Sequence, residues 1–199
     1  MNCAMPLLTP QTLLTAYAQG VFPMTDPDGK TRWYTADPRG ILPLDSFHIS
    51  HTLAQFLRRD PPVFDIRINC DFQATIQACR ELRIDHTWIS PQIVDAYLQL
   101  HSLGFAHSVE AWRDEKLVGG LYGVSLGAAF FGESMFHRVA NASKAALVAL
   151  VQRLRKRRFE LLDTQATTRH LRQFGCVDIP AEQYLERLRA ALDKQRRFD

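Results

Sequence analysis

His107–Glu133 reads HSVEAWRDEKLVGGLYGVSLGAAFFGE, and three strand-length runs inside it decide the fold. His107–Arg113, Lys116–Leu126 and Ala128–Glu133 are rich in β-branched and aromatic residues, with tight connections at Asp114-Glu115 and near Gly127. Connections this short join antiparallel neighbours, so the runs form an antiparallel meander. Toward the C-terminus, Asn141 or Ser143 caps a helix that runs to about Arg157. A strand follows at Glu160–Gln165, then short helices over Thr168–Phe174 and Ala181–Lys194. Toward the N-terminus the pattern predicts a strand at Val63–Ile68, a helix over Phe72–Arg80 and a longer helix over Ser90–Leu103. Ser90-Pro91 supplies the cap and first residue of that helix, and Gly104 stops it. A meander, a helix, another strand and a final helix make an α+β domain, without internal repeats or low-complexity tracts.

The first sixty residues differ in texture. Gly20, Pro23, Pro27, Gly29, Pro38, Gly40 and Pro43 punctuate short apolar pieces. Only Thr9–Gly20 reads as a helix, with Pro10 at its first position, and the rest as short strands and loops. Asp60-Pro61-Pro62 pushes the backbone into an extended connection, which divides a small N-terminal domain, residues 1–62, from a larger one, residues 63–199.

Composition bounds the class. At 199 residues, 46% hydrophobic and 23% charged, the chain has the make-up of a globular protein. The apolar run Leu117–Phe131 contains several glycines and falls short of the roughly 18 residues a bilayer span needs. MNCAMPLLTPQTLL has no basic region ahead of its apolar residues, so it does not read as a signal peptide and a cytoplasmic location is expected. Cys3, Cys70, Cys79 and Cys176 are scattered, and His48 and His51 lack a third ligand, so neither disulfide, metal nor other cofactor is expected. With no heptad pattern, a monomer is expected.

Net charge is only +3, yet Arg153, Arg155, Lys156, Arg157 and Arg158 crowd one predicted helix end. A second group, Arg169, Arg172, Arg187, Arg189, Lys194, Arg196 and Arg197, lies farther on. Such clusters suit either a solvated face that complements a helix dipole or a phosphate backbone.

FFGESMF (Phe130–Phe136) and LLDTQA (Leu161–Ala166) carry Glu133, Asp163 and Gln165 into strands that should be buried. An unpaired buried charge costs several kcal/mol, so these groups need partners or a task. One reading pairs the carboxylates with Arg138 or Lys144; the other converges them on a polar site at the bottom of an apolar cleft. Two-residue spacing on a strand places Asp163 and Gln165 on one face.

Longer strings carry a resemblance. YAQGVFPM (Tyr17–Met24), WYTADPRGILPLDSFHIS (Trp33–Ser50), TWIS (Thr87–Ser90), AYLQLHSLGFAHSVEAW (Ala96–Trp112), LVGGLYGVSLG (Leu117–Gly127), FGESMF (Phe131–Phe136), NASKAAL (Asn141–Leu147) and LLDTQA occur in order from about Leu13 to Leu185. They resemble the leucyl/phenylalanyl-tRNA–protein transferases. The resemblance implies a small N-terminal domain on a C-terminal domain similar to GNAT acetyltransferases, with a mostly antiparallel mixed sheet. It implies transfer of Leu or Phe from aminoacyl-tRNA to the N-terminal Arg or Lys of acceptor proteins, which marks them for degradation by the N-end rule.

By the same resemblance Asp163 and Gln165 are the catalytic pair, with Gln165 at the attacking amine and Asp163 orienting or polarising it. A neutral amide is a poor base, so the proton leaves through the tRNA ribose hydroxyl or water, and both routes stay open. Glu133 is the partner for the acceptor's cationic side chain, because a neutral side chain would leave it buried and unpaired. Leu121, Phe130, Met135, Leu150, Leu154 and Leu162 are candidates for the aminoacyl pocket, with core packing as the other reading of each. Trp33 and Trp88 stand at positions expected to stack on the terminal adenosine, and the Arg153–Arg158 cluster is expected to meet tRNA phosphates.

Two further readings fit the architecture. An acyl-CoA-dependent N-acetyltransferase would need a Gly-rich pyrophosphate loop that is missing after the meander. A non-catalytic tRNA-binding module would leave Glu133, Asp163 and Gln165 without a purpose. The chain also departs from the family pattern. It lacks a glycine-rich stretch before the first helix, reads WYTADPR (Trp33–Arg39) where relatives often read WWSPDPR, and has His86 where they have Gly. The shorter front is expected to loosen the N-terminal domain or its tRNA contacts without touching the catalytic residues.

Overall fold

The computed structural model describes residues 8–82 and 87–199, so His86 and Cys3 lie outside the described residues. Helix α1 (Pro10–Ala18) opens as the Thr9-Pro10 signal requires, with the Thr9 hydroxyl accepting from the Thr12 N–H. A hairpin of β1 (Phe22–Thr25) and β2 (Thr31–Tyr34) follows as a separate two-stranded sheet. The remaining strands are β3 (Arg39–Ile41), β4 (Asp65–Ile68), β5 (Ala106–Arg113), β6 (Lys116–Leu126), β7 (Ala129–His137), β8 (Leu161–Gln165) and β9 (Val177–Ile179). They form one seven-stranded sheet in the order β4-β5-β6-β7-β8-β3-β9. Every pairing is antiparallel except β7 with β8, which are parallel and joined through helix α5 (Ala142–Lys156). The expected α+β fold with a mostly antiparallel mixed sheet is therefore present.

Alternation along the strands feeds a core on each face. Tyr122, Phe131 and Leu161 face one core with α1, α3 (Phe72–Glu81) and α4 (Pro91–Ser102), whereas their neighbours Leu121, Phe130 and Leu162 face the other, beneath α5. Ser90 caps α4 through the Ile93 N–H and Pro91 is its first residue. At its far end Gly104 adopts φ +80°, while its N–H bonds to the His101 carbonyl and that of Phe105 to the Leu100 carbonyl, the two bonds of a Schellman stop.

Three features were not legible in the sequence. Helix α2 (His51–Leu57), capped by the Ser50 hydroxyl on the Leu53 N–H, occupies a region expected to hold only strands and loops. The helix expected over Thr168–Phe174 shrinks to the single turn α6 (Arg169–Arg172) before β9, and α7 (Ala181–Leu192) closes the chain. Strand β3 precedes the Pro61-Pro62 break, yet it is paired between β8 and β9, so the main sheet crosses that break.

Strand β7 also runs past its expected end at Glu133, because a β-bulge interrupts its alternation. Gly123 pairs with Gly132 and Tyr122 with Ser134, which leaves Glu133 as the extra residue. The bulge returns Phe136 to the core that holds Phe131, five residues earlier, and Met135 to the core that holds Phe130. Glycine is required opposite it: a Cβ on Gly123 would lie 2.2 Å from the Phe131 carbonyl oxygen.

Candidate active site

Pairing between the parallel strands β7 and β8 stops at Phe131 and Asp163. Beyond that point the bulged residues Gly132–Ser134 and the end of β8 separate, and a cavity of about 490 Å³ opens between them. Its size lies in the range of small-molecule sites. Leu121, Met135, Leu147, Leu150, Leu162 and Leu171 form an apolar wall. Glu133, Thr164, Gln165 and His170 add polar groups, and Met24 and Trp88 flank them, tied together by the Thr25 N–H donating to the Trp88 carbonyl at 3.1 Å.

Glu133 is paired with neither Arg138 nor Lys144. Arg138 donates to the Leu117 carbonyl and lies over the Phe136 ring. The carboxyl of Glu133 instead meets two tyrosines, Tyr17 from α1 through Oε1 at 2.7 Å and Tyr97 from α4 through Oε2 at 3.1 Å. The two phenol oxygens also bond to each other, which closes a ring of three contacts. Two phenols bring two hydrogens to three contacts, so a proton on the carboxyl completes the ring. The electrostatics agree. Burial pushes the Glu133 carboxyl up to about 7, against the pull of the phenol donors; Asp163 reinforces the rise and Arg39 opposes it.

Asp163 and Gln165 do not share a face. Asp163 is fully buried and turns away from the cavity into a clamp. Arg39 from β3 grips it with two bonds, Nε to Oδ1 at 2.9 Å and Nη2 to Oδ2 at 2.6 Å, while the Tyr184 hydroxyl from α7 donates to Oδ2 at 2.7 Å. The Arg39 guanidinium donates once more to the Gly20 carbonyl and is sandwiched between the Phe22 and Tyr184 rings. Burial and the Asp163 charge both push the Tyr184 phenol up, so it stays a donor.

The alternation fails because the strand ends in a tight turn. Gln165 has φ +56°, and the Ala166 N–H reaches back to the Thr164 carbonyl at 2.6 Å, a three-residue turn of the rare strained kind. The turn directs Gln165 into the cavity, where its buried Nε2 has no hydrogen-bond partner among the described residues; the same holds for His170 Nε2. Burial, together with the nearby Lys144 and His137, holds the His170 imidazole below its ordinary value.

The remaining expected site residues divide. Leu121, Met135, Leu150 and Leu162 line the cavity. Phe130 and Leu154 do not: both are fully buried in the core under α5, where Phe130 stacks on Phe198 at 5.2 Å. Trp88 lines the cavity, whereas Trp33, opposite Pro23 in the hairpin, packs against the first core. In the basic cluster Arg153 donates to the Phe198 carbonyl and covers its ring, and Arg155 donates to the Leu44 carbonyl. Lys156, Arg157 and Arg158 are exposed. They lie some 20 Å along α5 from Ser143 at the cavity, at about 1.5 Å per residue.

Comparison with known proteins matches the sequence to a family. Residues 41–189 match the family model described as leucyl/phenylalanyl-tRNA protein transferase, and residues 7–37 match the model of its N-terminal domain. The chain belongs to the leucyl/phenylalanyl-tRNA protein transferase family. It is 53% identical to a leucyl/phenylalanyl-tRNA–protein transferase of Akkermansia muciniphila over 191 residues, covering 94% of this chain and 98% of that protein. A relative of the same name from Herpetosiphon aurantiacus is 53% identical, covering 93% of this chain and 95% of its own length. One from Rubrobacter xylanophilus is 50% identical, with 96% and 98% covered. Membership makes the chain an aminoacyltransferase and sets aside the acetyltransferase and the non-catalytic module. No helix among the described residues is long and apolar enough to cross a membrane.

Sequence reasoning missed Tyr17, Tyr97, Arg39, Tyr184 and Met24. Each lies far along the chain from the group it serves; Tyr17 and Glu133 are 116 residues apart. Tyr17, Met24, Arg39 and Tyr97 fall inside the strings that carry the resemblance, but nothing local pairs them with a group elsewhere before the sheet brings them together.

Proposed function

We propose that the chain transfers Leu or Phe from aminoacyl-tRNA to the N-terminal Arg or Lys of acceptor proteins, in the cytoplasm and as a monomer. The observation that carries this reading is a single cavity with an apolar wall on one side and Glu133 and Gln165 on the other. The apolar wall receives the donor side chain, and Met135 adapts it to either Leu or Phe. Trp88 offers an aromatic face to the terminal adenosine. Lys156, Arg157 and Arg158 meet phosphates farther along the tRNA. The parallel pair β7 and β8, splaying inside an otherwise antiparallel sheet, supports kinship with the GNAT acetyltransferases.

The donor is already an activated ester, so positioning and oxyanion stabilisation carry most of the rate. Gln165 holds the attacking amine against the ester carbonyl through its amide, which is neutral and does not act as the base. Glu133 meets the acceptor's cationic side chain. An approaching cation lowers the carboxyl's pKa, so the group gives up its proton and forms an ion pair as the acceptor docks.

Transfer of labelled leucine from charged tRNA to two peptides that differ only in an N-terminal Arg or Met tests the reading. Labelling should be confined to the Arg peptide, and Glu133→Gln should erode that preference. Equal labelling of both peptides by the wild-type protein would refute the acceptor assignment.

A further inference from the structure

We infer that Arg39 is a positioning residue for the transfer, acting through Asp163 on the strained turn that aims Gln165. This rests on the reading above, that the Gln165 amide meets the reacting amine. Three observations carry it. The Asp163 carboxylate is fully occupied inside the protein: Arg39 and Tyr184 take one side, and Oδ1 also accepts the backbone N–H of Gln165 at 2.8 Å. A group so enclosed and so placed does not touch substrate. Among the described residues its one hydrogen bond to a residue lining the cavity is that bond to the first arm of the Gln165 turn.

The turn does not hold itself. A non-glycine residue at φ +56° in a three-residue turn persists only where its surroundings over-determine it. Asp163 provides one restraint and β3 the other, since Gly40 pairs with Gln165 and lies so close that a Cβ there would come within 2.6 Å of the Ala166 carbonyl carbon. Both restraints come from adjacent residues of one short strand, Arg39 and Gly40.

Arg39 suits the task because its donors have fixed directions. Nε and Nη2 bind the carboxylate, Nη1 binds the Gly20 carbonyl, and two rings cover the guanidinium faces. The carboxylate therefore has one orientation, and so does the N–H it accepts. Lysine keeps the charge but is a point donor on a flexible stem, and it leaves the carboxylate free to swing.

A cycle of variants in single-turnover transfer from charged tRNA tests the inference. Arg39→Lys should lower the transfer rate by about 10²-fold, the scale of a misplacement near 1 Å, with KM for charged tRNA changed less than about threefold on the same argument. Gly40→Ala, which pushes the turn from the other side, should do the same. In a Gln165→Ala background neither substitution should slow transfer further, because the amide they aim is gone. A loss that multiplies on top of Gln165→Ala, or one confined to KM, overturns the inference. Where Arg39→Lys does not fold by circular dichroism, Tyr184→Phe replaces it in the cycle, with a smaller loss and the same silence in the Gln165→Ala background expected. Full transfer by Gln165→Ala alone overturns the reading underneath and this inference with it.

Discussion

Glu133→Gln should raise the stability of the protein at alkaline pH and leave it nearly unchanged in acid. The Glu133 carboxyl sits at about 7 in the folded protein, against 4.5 in an unperturbed chain. A raised value means that the fold binds the proton more tightly than the unfolded chain does. The neutral acid's contribution is therefore fully present below about pH 4.5 and is lost as pH rises through about 7. At roughly 1.4 kcal/mol per decade of pKa, the span amounts to about 3 kcal/mol. The hydrogen count in the ring gives the reason. Above neutrality the ionised carboxyl leaves two phenol hydrogens for three oxygen contacts. The amide of the Gln variant supplies the third hydrogen at every pH: its oxygen accepts from one tyrosine and its NH₂ donates to the other. Between about pH 5 and pH 8 the variant should gain roughly 2–3 kcal/mol on the wild type, or ~5–10 °C in melting temperature for a chain of this size. Thermal melts of both proteins across that window measure it, and histidines common to both cancel in the difference. A difference that does not change with pH would mean that the carboxyl is ionised throughout, and would refute the hydrogen count.

Other expectations follow from where the structure places each residue. Trp88→Ala should weaken binding of charged tRNA by roughly 1–3 kcal/mol, read by filter binding, whereas Trp33→Ala, which removes a side chain packed on the core, should instead lower the melting temperature. Replacing Lys156, Arg157 and Arg158 together with alanine should flatten the dependence of log K on log salt by about 2 to 3; Arg153→Ala, whose guanidinium is engaged with Phe198, should leave that slope unchanged and cost stability. Phe198→Ala should cost about 3–5 kcal/mol in denaturant melts, since the ring is buried between His107, Phe130 and Phe159; a loss below 1 kcal/mol would show that the core closes over the gap.

The sheet's central part is written in the sequence, and so are two of the polar groups that line the cavity, Glu133 and Gln165. Turn residues at Asp114-Glu115 and Gly127 force the meander, Ser90-Pro91 and Gly104 bound their helix, and the FGESMF and LLDTQA strings name Glu133, Asp163 and Gln165. These signals are local: a cap, a glycine at positive φ or an acid in an apolar strand is written in a handful of neighbouring residues. Which groups those acids meet depends on the fold. Strict alternation would have put Asp163 and Gln165 side by side, yet the turn at Gln165 sends the amide to the cavity while Asp163 goes to Arg39. Alternation likewise says nothing of the bulge that singles out Glu133, because the bulge depends on its register with Gly123 in the partner strand. The tyrosines that hydrogen-bond to Glu133 come from two helices far away in the chain, and β3, which carries Arg39, is a three-residue strand with no period of its own. Partners that meet across a sheet are chosen by the packing of whole elements, and that information is spread over the chain rather than held in any one stretch of it.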